Sequence, residues 1–390
     1  MSNHAPFAVY VADISYFSGK FEAYLRYKEV PYQRVLVSHK RYLEVFRHTG
    51  AMKVPAVRTA NDQWLKDTTP MIEWFEKEYP ESPVLPQDPA LAFVAYLLED
   101  FADEWLWRPA MWWRWEPKVT RHALGRRIAQ EILYDFPAPT SLMMHYFAWR
   151  QRRSWLWGDG MNKSNSFQIR QIYLSMLEAM QSILSHQPFL LGSHPSLADF
   201  GFFGPFFRHF GNDPDPAEMM RLHGPAVYEW TARLWNTKAS SLSTEPSWVW
   251  PNSPTWEPIW KELVTGYLPY LHQNALAWKD KKARFDCVTP SISFPRTLTT
   301  EYRVWCRQEL QRRWNKLPTD AKQEVDALFQ AWGGIEETLL ADGVIDAGLD
   351  EEMTVPFPPR PQADWKTRLK VALFGTARNT PRSPKTDLAE

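Results

Sequence analysis

Residues 53–79 read KVPAVRTANDQWLKDTTPMIEWFEKEY, and this stretch decides the fold that the sequence predicts. Residues 54–57 are a short β-prone run with a proline near its start, where a missing N–H is tolerated. An Asn-Asp turn and a second strand over 63–66 complete a β-hairpin. Residues 67–70 (DTTP) suit the first turn of a helix. Such a place offers backbone N–H groups and a hydroxyl to a carboxylate. The alternative is a hairpin followed by an ordinary capped helix.

The composition of the 390-residue chain is that of a soluble globular protein, with 44% hydrophobic and 23% charged residues. Lys and Arg together number 45, as do Asp and Glu, so no net charge favours nucleic acid or an anionic membrane. No run of about 18 apolar residues is present, and the N-terminus does not resemble a signal peptide. We therefore expect a cytoplasmic protein with no membrane span and no nucleic-acid partner.

Motifs for metal or nucleotide chemistry are missing from the sequence. It contains no GxGxxG, P-loop, HExxH or GxSxG pattern, and the ten histidines show no ligand spacing. Cys287 and Cys306 are too few for a disulfide framework and match no zinc motif. We interpret them as inert packing thiols and predict no metal site.

The first eighty residues predict a thioredoxin-like α/β arrangement. The predicted elements before the hairpin are a strand over 7–12, a loop over 13–19, a helix from Lys20, a strand over 32–37 and a helix over 40–48. A β-α-β opening favours a right-handed crossover and parallel pairing of its strands. Ligands of such sheets bind at the carboxyl ends of the strands. Ser15 and Ser18 lie in the first of these loops, where they could also simply cap the helix.

These features together resemble the glutathione transferases. In that family a strand opens with Val-Pro, whose proline is cis, and an acidic–Ser/Thr pair starts the third helix. Val54-Pro55 and Asp67-Thr68 match those positions. Many members carry Ser-Pro-Phe-X followed by a basic residue after the first strand, and this chain reads Ser-Tyr-Phe-Ser-Gly-Lys from Ser15. The resemblance covers roughly residues 7–237 and is to a serine-type, cytosolic-like member of the superfamily.

The resemblance implies that glutathione is the co-substrate and that its thiolate attacks a hydrophobic electrophile. We expect this electrophile to be aromatic. Asp67 and Thr68 would then hold the γ-glutamyl end, the Val54 backbone beside Pro55 the cysteinyl amide, and Lys53 the glycine carboxylate. Conjugation, ether cleavage and reductive displacement share this first step. The competing hypothesis is a transferase-like binding or scaffold protein without chemistry. A homodimer through the first domain and the helix after the linker is also implied.

Ser15 takes the catalytic serine position of the resemblance. A hydroxyl beside a helix N-terminus can donate to the sulfur and stabilise its thiolate. Tyr16 replaces the family's proline and is an alternative donor. Aromatic residues at two places are candidates for the pocket of the second substrate: Tyr16 and Phe17, and Trp105, Trp112 and Trp113. For any one of these tryptophans core packing is the commoner role.

The sequence divides into four predicted parts. These are a thioredoxin-like glutathione-binding domain over 1–80, a proline-rich linker over 81–89, an all-helical domain over 90–240 and a Pro/Trp-rich, partly helical extension over 241–390. In the helical domain, residues 196–199 (SLAD) form a capping box that also matches the family, so we interpret Ser196 and Asp199 as structural. The sequence does not decide whether the extension covers the substrate cleft, enlarges a subunit interface or holds a partner.

Overall fold

A computed structural model describes residues 6–243 and 245–356. Its N-terminal part consists of four strands and three helices. The strands are β1 (Phe7–Val11), β2 (Tyr32–Leu36), β3 (Ala56–Thr59) and β4 (Trp64–Lys66), and the helices are α1 (Tyr16–Tyr27), α2 (His39–Thr49) and α3 (Thr68–Glu78). The sheet order is β2-β1-β3-β4, with β1 parallel to β2 and antiparallel to β3. This confirms the predicted thioredoxin-like α/β fold, and the Val54–Pro55 peptide is cis.

Helix α1 begins at Tyr16, so the predicted loop over 13–19 was too long. Ser15 is the N-cap of this helix, and its Oγ accepts from the backbone N–H of Ser18 at 3.3 Å. The cap satisfies one of the orphan donors of the first turn, which allows the helix to start four residues earlier than the pattern from Lys20 suggested.

The second part is helical, as predicted. It contains α4 (Pro89–Glu104), α5 (Trp107–Trp115), α6 (Lys118–Glu131), α7 (Thr140–Gln151), α8 (Ser166–Leu184), α9 (Leu197–Pro205), α10 (Pro214–His223) and α11 (Pro225–Asn236). The capping box of α9 is present, because Ser196 Oγ accepts from Asp199 N and the Asp199 carboxylate accepts from Ser196 N at 2.9 Å. Trp230 Nε1 donates to the same carboxylate at 3.1 Å, so the box also ties α9 to α11.

The extension contains six helices and a β-hairpin in its described residues. These are α12 (Glu257–Glu262), α13 (Leu268–Lys279), β5 (Arg284–Val288), β6 (Ser293–Leu298), α14 (Glu301–Lys316), α15 (Thr319–Leu328), α16 (Glu336–Leu340) and α17 (Asp350–Met353). The antiparallel β5–β6 hairpin was not predicted. Pro295 lies opposite the register shift between Phe285 and Cys287, and proline is tolerated at such a bulge and on the free edge of a strand. The proline-rich sequence of residues 350–364 predicts a loop, but Asp350–Met353 form α17, and residues 357–364 lie outside the described residues.

The extension packs directly on helix α4. The Trp314 ring meets Phe93 edge-on with centroids 5.4 Å apart, and Trp105 Nε1 donates to Glu262 at 2.8 Å. The Tyr267 hydroxyl donates to the Asp100 carboxylate. Residues of all three parts belong to one hydrophobic core. No helix within the described residues is long and apolar enough to cross a bilayer.

We expect the burial of Asp100 to make stability fall as the pH rises, although the hydrogen bond from Tyr267 lowers the pKa of this carboxyl group. Burial raises the pKa of Asp100 from 3.8 to about 7. The folded state therefore holds a proton that the unfolded state has released above about pH 4, and stability is lost up to about pH 7. Relative to wild type, Asp100→Asn should gain about 3 kcal/mol between about pH 5 and about pH 8, since each pKa unit corresponds to about 1.4 kcal/mol.

The measurement is urea denaturation followed by tryptophan fluorescence at both pH values. Asp215→Asn, at an exposed carboxylate of α10, is the matched control and should keep the wild-type pH slope. An unchanged slope in Asp100→Asn would contradict the assignment.

Candidate functional site

Strand register brings the predicted site segments to one edge of the sheet. Tyr10 pairs with Ala56, and Ala56 pairs with Lys66. The chain therefore leaves β1 toward Ser15, enters β3 from Val54-Pro55 and leaves β4 into Asp67 at the same edge. Segments far apart in the sequence meet there because the hairpin register fixes which residues lie opposite each other.

Ser15 and Val54 are in contact across this edge. The half-buried Ser15 hydroxyl donates to the Val54 carbonyl at 3.5 Å, the long limit for a hydrogen bond. The same oxygen caps α1, so it lies at the positive end of that helix. A sulfur anion placed beside it would meet a hydroxyl donor and a favourable helix terminus.

A buried arginine that sequence reasoning missed holds the loop before Ser15. Arg114 is 4% exposed, and its Nη1 donates to the Ile14 carbonyl at 3.0 Å. The Arg114 guanidinium also binds the Asp213 carboxylate through two N–H groups, each 2.9 Å from an oxygen. Burial, together with the charge of Arg114, holds the pKa of His209 well below its usual range. A neutral His209 can then accept from Arg114.

Tyr16 and Phe17 follow Ser15 but lie in different surroundings. Tyr16 is 2% exposed and its hydroxyl donates to the Ala102 carbonyl of α4. Burial raises the pKa of Tyr16 well above its usual value, with contributions from neighbouring acids. Phe17 is only half-buried and stacks on Trp107 with centroids 6.0 Å apart. Trp107 in turn meets Trp155 at 5.1 Å, so three half-buried aromatic rings adjoin the Ser15 turn.

The tryptophans predicted for the pocket are buried. Trp105 is 0% exposed, and Trp112 and Trp113 are each 6% exposed. Trp105 packs against Tyr267, Tyr270 and Phe294 of the extension, while Trp113 packs against Tyr173 of α8. These surroundings are those of core packing, the commoner role for a tryptophan. Their part in a substrate pocket stays a prediction.

Asp67 has an unusual backbone and does not cap its helix. Its φ is +69°, a region that is strained for a residue with a side chain and that often marks functional sites. Although it precedes α3, its side chain makes no capping hydrogen bond. The Tyr302 hydroxyl of the extension donates to Asp67 Oδ1 at 3.2 Å, and the Lys53 ammonium lies 5.5 Å from the Tyr302 ring centroid. Thr68, the next residue, is 4% exposed.

The pKa of Asp67 reflects opposing influences. Burial and the charge of Glu104 raise it, whereas the charge of Lys53, the hydrogen bond from Tyr302 and the charge of Lys20 lower it. The neighbours that favour the carboxylate therefore come from both the thioredoxin-like part and the extension.

A buried charge cluster supports the first turn of α3. Lys20 of α1 forms salt bridges with Glu99 and Asp103 of α4. Thr69 donates to Glu99 Oε1 at 2.6 Å, which ties the turn after Asp67 to this cluster. Burial alone would lower the pKa of Lys20, but the charges of Asp103 and Glu99 raise it above its usual value. Lys20 therefore stays charged. No group of His, Cys, Asp and Glu among the described residues is arranged to hold a metal ion.

Two family models match this chain. Residues 9–83 match the model described as "Glutathione S-transferase, N-terminal domain". Residues 147–233 match the model described as "Glutathione S-transferase, C-terminal domain". The first match contains the cis peptide bond and α3, and the second contains the capping box of α9. No curated protein sequence matches the chain.

The solved structures to which the chain is similar include the following three. A glutathione S-transferase from Rhodospirillum rubrum F11 is 17% identical, with 66% of this chain and 92% of that chain covered and a TM-score of 0.39. Beta-etherase LigF from Sphingobium sp. strain SYK-6 is 17% identical, with 59% and 94% covered and a TM-score of 0.41. The glutathione transferase URE2P6 from Phanerochaete chrysosporium, in complex with oxidized glutathione, is 15% identical, with 67% and 98% covered and a TM-score of 0.37. At these identities and TM-scores the likeness adds no argument about function.

Proposed function

This chain belongs to the glutathione S-transferase superfamily, and on that premise we propose that it is a serine-type glutathione transferase. The meeting of Ser15, Val54 and Asp67 at one sheet edge carries the proposal. Ser15 donates to the sulfur of bound glutathione and lowers the pKa of its thiol. The long bond from Ser15 to Val54 supports this role, because a weak partner is easily exchanged for a thiolate.

The γ-glutamyl end of glutathione carries both an ammonium and a carboxylate, and the site offers a complement to each. Asp67 takes the ammonium, while Thr68 and Lys53 take the carboxylate. Lys53 lies close to Asp67 and Tyr302, which supports its binding to the γ-glutamyl carboxylate. The resemblance implies the glycine carboxylate for this lysine instead. The Val54 backbone beside the cis bond remains the partner of the cysteinyl amide.

The electrophile would occupy the space beside Ser15. Phe17, Trp107 and Trp155 are half-buried aromatic side chains there, which suits a flat apolar molecule. The Tyr16 hydroxyl is already bound to Ala102, which favours Ser15 as the donor to sulfur. In this proposal the thiolate attacks the electrophilic carbon, a new C–S bond forms, and the leaving group departs with its electron pair.

We propose further that the chain acts as a monomer. The homodimer implied by the resemblance would use the first domain and α4, the helix after the linker, and the extension lies on α4 and on α3 of the first domain. Arg313 of α14 pairs with Glu73 of α3 and lies 3.6 Å from the Tyr96 ring centroid of α4. A buried aromatic contact between Trp314 and Phe93 adds to this cover.

Thr68→Ala should weaken glutathione binding about tenfold, because a hydrogen bond to a charged group contributes about 1.5 kcal/mol or more. Isothermal titration calorimetry with reduced glutathione measures the effect. Thr59→Ala, at the other end of β3, serves as the matched control and should bind as wild type. Equal affinities for wild type and Thr68→Ala would remove Thr68 from the site.

Ser15→Ala should lower turnover of chlorodinitrobenzene about 100-fold, as expected for the loss of a donor to a developing anion. The thiol pKa of bound glutathione, followed by thiolate absorbance, should rise. Because Ser15 is also a helix cap, Ser38→Ala is the control: Ser38 caps α2 in the same way and lies outside the site. Unchanged turnover in Ser15→Ala would favour the binding or scaffold alternative.

Light scattering should give the mass of one chain, 45.8 kDa, because the extension covers the expected dimer face. A mass of about twice this value across a range of protein concentrations would overturn the monomer.

A further inference from the structure

One wall of the proposed glutathione site comes from the C-terminal extension. Tyr302 is the second residue of α14, and its hydroxyl donates to the Asp67 carboxylate at 3.2 Å across 235 positions of sequence. The Lys53 ammonium lies over the face of the same ring. Tyr302 thus touches both residues assigned to the charged end of glutathione.

The start of α14 is rigidly positioned. Thr300 is its N-cap, and the side chain of Asn274, which is 0% exposed, both donates to the Thr300 carbonyl and accepts from the Thr300 N–H, each at 2.9 Å. Next to Tyr302, Arg303 pairs with Glu104 at 2.8 Å and with Asp159 at 3.1 Å. Fully paired buried groups of this kind hold one geometry. The Tyr302 ring is therefore a fixed part of the site.

The bond from Tyr302 suits a carboxylate that must also receive a ligand. The hydroxyl occupies one oxygen of Asp67, and a carboxylate has several acceptor positions, so an ammonium group can still be bound. Because the Asp67 side chain does not cap α3, the bond from Tyr302 is a main determinant of the orientation of the Asp67 carboxylate. A pre-oriented acceptor binds a ligand more tightly than one that must first be ordered.

We propose that Tyr302 is a positioning residue of the glutathione site, which makes the extension a component of ligand binding and not an appended domain. Through Tyr302 the extension orients Asp67 toward the γ-glutamyl ammonium. The inference rests on the proposed function, since it concerns the same ligand. It also assigns a role to the extension, for which the sequence leaves three alternatives open.

Tyr302→Phe tests the inference, and Tyr267→Phe is its matched control. Both substitutions remove a tyrosine hydroxyl that donates from the extension to an aspartate, but Tyr267 bonds to Asp100 and not to Asp67. Glutathione affinity is measured by calorimetry between about pH 5 and about pH 8, and thermal unfolding checks that both variants are folded. Turnover measured over a range of glutathione concentrations separates KM from kcat.

Tyr302→Phe should raise the Kd for glutathione about tenfold at neutral pH, while kcat stays at the wild-type value. The acid limb of binding should also move to higher pH, since the hydrogen bond from Tyr302 lowers the pKa of Asp67 and its loss lets Asp67 take up a proton earlier as the pH falls. Tyr267→Phe should keep the wild-type Kd and acid limb.

The outcomes distinguish a failure of this inference from a failure of the proposed function on which it rests. If wild type binds glutathione, Thr68→Ala weakens binding and Tyr302→Phe behaves as wild type, the inference is wrong and the proposed function stands. If both tyrosine variants weaken binding equally, Tyr302 acts only by docking the extension, and the positioning role is overturned. If wild type does not bind glutathione at about millimolar concentration, the weak end of ordinary ligand affinity, the proposed function and this inference both fall.

Discussion

Four carboxylates within six residues of helix α4 impose the main constraint on this structure. Glu99, Asp100, Asp103 and Glu104 all lie in or at the edge of the core, where an unpaired charge would cost several kcal/mol. Each has a partner from another part of the chain. Lys20 of α1 pairs with Glu99 and Asp103, the Tyr267 hydroxyl bonds to Asp100, and Arg303 of α14 pairs with Glu104. The thioredoxin-like part is therefore held to α4 by Lys20, and the extension is held to it by Tyr267 and Arg303. Separating either part from α4 would leave buried carboxylates without their partners.

The candidate site lies between the thioredoxin-like part and the extension, both of which pack on α4. The sheet supplies Ser15, Val54 and Asp67 through its strand register, and α14 supplies Tyr302. Thr69 connects them to the charge cluster through its bond to Glu99. The geometry of the candidate site and the docking of the extension are thus coupled, because a movement of α4 would disturb both Lys20 and Arg303.

Sequence reasoning predicted the local elements that depend on short-range chemistry. The β3–β4 hairpin, the cis Val54–Pro55 bond implied by resemblance, and the capping box at Ser196 and Asp199 are all present. The start of α1 was misplaced, because Ser15 and Ser18 both suit a cap and only geometry shows which one is used. The β5–β6 hairpin was missed. Its register shifts between Phe285 and Cys287, opposite Pro295, and a proline within a strand is accepted at such a bulge or on a free edge, which only the pairing shows.

The amino-acid sequence by itself determined the family, the thioredoxin-like order of elements and the residues that flank the sheet edge, since turns, caps and strand patterns act over a few positions. Tertiary structure alone decided the partners of those residues. Nothing near Tyr302 in the sequence points to Asp67, and nothing near Arg114 points to the loop before Ser15. The reason is physical: a buried charge or hydroxyl takes whichever partner packing brings within about 3 Å, the usual hydrogen-bond distance. The partner often lies on another helix, whereas a sequence pattern describes each helix separately.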